Sequence, residues 1–125
     1  MRRLIVQRSD NTPLWSLEIA DSWLKKLIGL IGRKSLDPGT GLYFPGTNSI
    51  HMLFMRFPID CVFVRPTDGS KEIFEIISIR ADLAPWTGVV WFVRGARATI
   101  ELRAGDAARA GVKVGDRLTI VSGDA

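Results

Sequence analysis

Cysteine is almost missing from this chain: Cys61 is the only one among 125 residues. A single thiol cannot close an internal disulfide, so nothing here asks for an oxidising compartment. Histidine is as scarce, with His51 alone. A zinc or iron site draws three or four ligands from His, Cys and carboxylates, and this chain could offer only one of each of the first two. His51, Met52 and Met55 lie close enough for a thioether copper site, but methionine so placed is far more often core filler. Neither a metal nor another cofactor is expected.

Long apolar runs are lacking too. "MRRLIVQRSDNTPLW" holds three consecutive apolar residues before Gln7, against the about 7–15 that a secretory signal needs. No stretch approaches the roughly 18–20 apolar residues of a membrane span. The expectation is a cytoplasmic protein with no membrane partner. Like charges never form a block of five, although the net charge is +4. Arginines and lysines so dispersed allow weak, electrostatic contact with nucleic acid and imply no recognition face. A phosphate cradle is missing as well: in "GLIGRKS", Gly29 and Gly32 close a helix, whereas a P-loop opens one. There is no Gly-x-Ser-x-Gly elbow.

What remains is an ordinary globular composition, 46% hydrophobic and 24% charged, in a chain that fits a single domain over 1–125. Residues 3–7 and 14–19 alternate as short strands around the turn-rich "RSDNTP". In "ADSWLKKLIGLIGRKSL", Asp21 or Ser22 can cap a helix whose apolar residues recur at helical spacing up to Gly32. Strands follow at "LYF", at about 50–56 and 60–65, at "EIFEIISIR", "VVWFV" and "ATIELR", with Asp68-Gly69 in a hairpin loop. In the tail Asp106 caps one or two helical turns, Gly111 ends them, Gly115-Asp116 turns the chain, and "RLTIVS" is the last strand. The sum is mainly β, a sandwich or barrel, with two short helices.

The densest segment is "SIHMLFMRFPIDCVFV", residues 49–64, which collects His51, Arg56, Asp60 and Cys61 in a nearly unbroken apolar run. Pro58 splits it, since proline cannot donate to a sheet ladder. Cys61 has no basic residue within four positions and reads as a small buried hydrophobe. Asp60 must find donors in such surroundings, either backbone N–H groups or Arg56. The other use of these groups is a small polar pocket lined by His51, Arg56 and Asp60. A hydrolase would need His51 with Ser49 or Cys61, oriented by Asp60 or Glu101.

"KLIGLIGRKSLDPGTGLYF", the 49–64 segment and "IELRAGDAARAGVKVGDRL" together resemble the bacterial and archaeal family known as domain of unknown function 192. The matching positions are Gly29 to Arg33, Gly41 to Phe44, His51 with Met55, Pro58 to Phe63, and Glu101 to Leu118. The resemblance implies a compact β-sandwich of jelly-roll type and brings no catalytic assignment. "ARAGVKVGDRL" is also similar to a helix–turn–strand piece of PDZ domains that lies away from their peptide-binding loop.

The leading expectation is a non-enzymatic module that binds a small polar ligand or a protein partner. Its surface would include His51, Arg56, Asp60 and, in the "APWTG" loop, Trp86, whose ring offers a large apolar face with one donor. A nucleic-acid-associated module is the alternative, with aromatic residues as stacking platforms. A hydrolase comes third.

Overall fold

In the computed structural model, residues 3–20, 36–51, 57–67, 72–86, 89–90 and 92–123 are described. The strands are β1 (Arg3–Arg8), β2 (Pro13–Ile19), β3 (Thr40–Pro45), β4 (Ile50–His51), β5 (Ile59–Pro66), β6 (Ile73–Leu83), β7 (Val89–Val90), β8 (Ala98–Arg103) and β9 (Arg117–Ser122). A helix, α1, spans Asp106–Ala110. The helix expected before Gly32, the Asp68-Gly69 turn and residues 52–56 lie outside the described residues, so α1 is the one helix among those described.

Seven strands close a barrel in the order β1-β2-β3-β8-β5-β6-β9, and β9 returns to pair with β1. The barrel alternative therefore holds, and the jelly-roll sandwich is corrected: closure removes the free edges that two stacked sheets would leave. All neighbours are antiparallel except β2 and β3, which run parallel with Ser16 opposite Thr40. A parallel pair cannot be joined by a tight turn.

Alternation fills the lumen. Trp15 and Leu17, Val62 and Val64, Ile100 and Leu102, and Leu118 and Ile120 point inward and pack as one cluster. Ala107 of α1 and Val112 join it, so the helix plugs one end of the barrel. The outer face of β3, β8 and β5 is covered as well: Leu42, Phe44, Ile59, Cys61 and Phe63 form a second cluster with Phe57, Val93 and Ala96. A strand buried on both faces favours apolar residues on both, which is why β5 reads from Ile59 to Val64 as an apolar run broken only by Asp60.

Two local expectations are corrected. "VVWFV" is not one strand, because β7 ends at Val90 and Phe92 takes a left-handed backbone, with φ 32°. Asp106 does not cap α1: Gly105 is the N-cap residue and no side chain of the helix closes that end. Gly111 does end it, at φ 70°.

Candidate functional site

Asp60 is fully buried, and its carboxylate works on two elements at once. The N–H groups of Gly105 and Ala107 both donate to Oδ2 at 3.0 Å, so β5 supplies the cap that α1 lacks. The Asp82 N–H donates to Oδ1 at 2.9 Å. Along β5 and β6, Ile59 faces Leu83 while Cys61 faces Arg80, so β6 carries one extra residue opposite Asp60. This is a bulge, and Asp82 in it has φ 53°. Of the two donors open to Asp60, backbone amides are the ones used; Arg56 lies outside the described residues.

His51 pairs with Val89 across the small β4–β7 sheet. The chain on either side of this sheet is fixed to the barrel. Thr99, on the outer face of β8, donates its hydroxyl to the Thr47 carbonyl at 2.8 Å, and the Val93 N–H donates to the Asn48 carbonyl at 2.7 Å. The structure thus brings the His51 strand to the loop that carries Trp86, three residues before β7. Asp60 holds the end of β6, from which that loop leaves, through Asp82.

The segments on either side of β7 display aromatics. Trp86 is 54% exposed and Phe92 68% exposed, and both sit at positive φ (68° and 32°). A bulky side chain in left-handed backbone costs on the order of 1–3 kcal/mol, and surrounding contacts must hold it there. Arg94 and Arg97 are exposed just beyond Phe92. Sequence reasoning missed Phe92 because "VVWFV" has the composition of a strand interior.

Glu101 was also missed, except as a distant orienting acid. On the covered outer face one row of partners runs Leu42, Glu101, Cys61, Arg80 across β3, β8, β5 and β6. Glu101 is only 7% exposed, and burial raises its carboxyl from the usual 4.5 to about 8. It is a neutral acid at pH 7. Nothing local could reveal this: in "ATIELR" Thr99 and Glu101 have the pattern of a solvent-facing edge, and only the second apolar layer buries them. Cys61 beside it is fully buried, and burial, then the Glu101 and Asp60 carboxyls, push its thiol well up. A thiol raised in this way is a poor nucleophile at neutral pH.

The model of the DUF192 family, described as "Uncharacterized ACR", matches residues 4–120. Among curated proteins none matches the chain. Two solved structures share the fold. One, from Sinorhizobium meliloti 1021, is described as a candidate transcription regulator; it is 24% identical with a TM-score of 0.75, over 94% of this chain and 91% of that one. The other, from Novosphingobium aromaticivorans DSM 12444, is a protein of unknown function, 24% identical with a TM-score of 0.73, over 93% and 82%. At this identity they speak for the fold alone.

Proposed function

The chain belongs to the DUF192 family, and from that premise we propose that it is a cytoplasmic, non-enzymatic module that binds a ligand or partner at the β4–β7 flap. One observation carries the reading: Trp86 and Phe92 are exposed in left-handed backbone on either side of β7. Each exposed ring offers a large apolar face that a partner can cover. His51, on the paired strand, supplies a group that both donates and accepts one hydrogen bond when neutral. Asp60 acts from below, through the bulge that aims the loop. The occupant is a small polar molecule or a protein edge that stacks on the rings.

A nucleic-acid strand is the second reading, favoured by Arg94 and Arg97 beside Phe92. Guanidinium groups would follow the backbone while bases stack on the rings.

The test is to recover the parent chain and a Trp86→Ala/Phe92→Ala variant from the cells of origin and compare what each retains by mass spectrometry. The reading expects one molecule in stoichiometric amount with the parent and at least tenfold less with the variant. Nothing retained, or equal retention, would overturn it.

A further inference from the structure

At the barrel end plugged by α1, a cleft of about 380 Å³ opens between α1, the β1–β2 turn and the entry to β3. It shares no residue with the flap. Arg8, Arg103 and Arg109 line it, with Asp106 as the one carboxylate among its walls. The lining therefore carries three positive charges against one negative. Pro13, Leu14 and Pro38 give it an apolar side.

Asp106 orders this cluster and leaves most of its donors unused. Its Oδ1 accepts from Arg109 Nη1 at 2.7 Å and from Arg103 Nη2 at 3.4 Å. Its Oδ2 accepts the Gly39 N–H at 2.9 Å, which ties the cleft's far wall to α1. Each guanidinium has five N–H groups, and Asp106 takes one from each. Arg103 Nε is buried and has no hydrogen-bond partner. That N–H is closed off from the cleft, so Arg103 meets a ligand through its Nη groups. Arg8 completes the ring: its Nη2 lies 3.5 Å from where a Cβ on Gly111 would stand, at the C-terminal end of α1. It makes no ion pair among the described residues.

We infer that this cleft is an anion site for a small organic acid, with a carboxylate or phosphate head held by Arg103, Arg109 and Arg8 and an apolar body against Pro13, Leu14 and Pro38. A planar guanidinium suits such heads because two parallel N–H groups meet two oxygens. Fixing Arg103 and Arg109 on Asp106 removes part of the ordering cost of binding. The volume is at the small end of the range for ligand sites, which fits a single-ring or short-chain acid.

Calorimetric titration of the full chain at low salt tests this with three probes: phenyl phosphate, benzoate and inorganic phosphate. Saturable binding of one phenyl phosphate or one benzoate per chain is expected, at least tenfold tighter than inorganic phosphate. Arg103→Gln should weaken it at least tenfold. Arg109→Gln, at a side chain 63% exposed, should weaken it several-fold, and serves if Arg103→Gln does not fold. Arg65→Gln, whose parent side chain pairs with Glu75 elsewhere on the barrel, should change nothing. Trp86→Ala/Phe92→Ala should bind as the parent does, so this site and the flap stand or fall separately. No saturable binding of either organic probe, equal affinity for inorganic phosphate, or binding unchanged in Arg109→Gln would overturn the assignment.

Discussion

Asp60 holds three backbone N–H groups with two oxygens, and this division sets what each substitution should do. Alanine leaves all three donors without their partner, and the buried Ala107 N–H, which water cannot reach, costs most, at roughly 1–3 kcal/mol for each such group. Asp60→Ala should lose about 3 kcal/mol or more, a fall in Tm of roughly 10 °C for a domain of this size. Asparagine keeps one acceptor oxygen. If it serves the Gly105 and Ala107 pair, its NH2 group meets the Asp82 N–H donor to donor. Asp60→Asn should therefore lie between the parent and Asp60→Ala in a thermal melt. Equal melts for all three would contradict the capping role. Glu101 gives the opposite pH signature to a paired carboxylate. Its folded value of about 8 exceeds the ordinary 4.5, so between those limits the folded state keeps a proton that the unfolded state has released. Stability should be full below pH 4.5 and decline up to pH 8, on the order of 4 kcal/mol in total. Tm against pH should fall more steeply for the parent than for Glu101→Gln over that window. Parallel curves would show that the carboxyl is not protonated in the fold.

At the scale of elements, the close seam between β3 and β8 depends on a missing side chain. A Cβ at Gly41 would collide with the Glu101 carbonyl oxygen, which is backbone and has nowhere to move. Gly41→Ala should cost roughly 1–3 kcal/mol and speed amide exchange at Leu42 and Phe44 more than in β1 or β9. Uniform exchange across the barrel would contradict a local clash. The strands themselves were legible. Alternation in "LWSLEI" and the nearly unbroken apolar run of "IDCVFV" gave β2 and β5 nearly to the residue, and Gly111 marked the end of α1. What failed was long-range. Asp106 stands where a cap belongs, yet Asp60 reaches the free amides first from another strand, which leaves Asp106 for Gly39, Arg103 and Arg109. Phe92 ended a strand that composition would have continued. The candidate site was legible only in its pieces: His51, Asp60 and Trp86 are visible one by one, but their connection runs through the β4–β7 pairing and the β6 bulge, neither of which has a local signal.

For the whole molecule, the ring of seven strands plugged by α1 is a rigid frame with two places where polar or aromatic groups are held ready. No helix among the described residues is long and apolar enough to cross a membrane. The net charge of +4 bears on the nucleic-acid reading. With the arginines spread over the surface, binding of a fluorescent single-stranded oligonucleotide should weaken steeply as salt rises and differ little between sequences. A tight complex that resists salt and selects one sequence would make recognition of nucleic acid the primary role. On the proposed reading, the flap carrying Trp86 and Phe92 is covered in the cell. Hydroxyl-radical labelling settles this, with the intact chain labelled alone and again in extract of its own cells, and oxidation mapped residue by residue. Strong labelling of Trp86 and Phe92 alone and protection of both in extract are expected, with exposed Val114, after α1, unchanged. Equal labelling of the two aromatics with and without extract would contradict it.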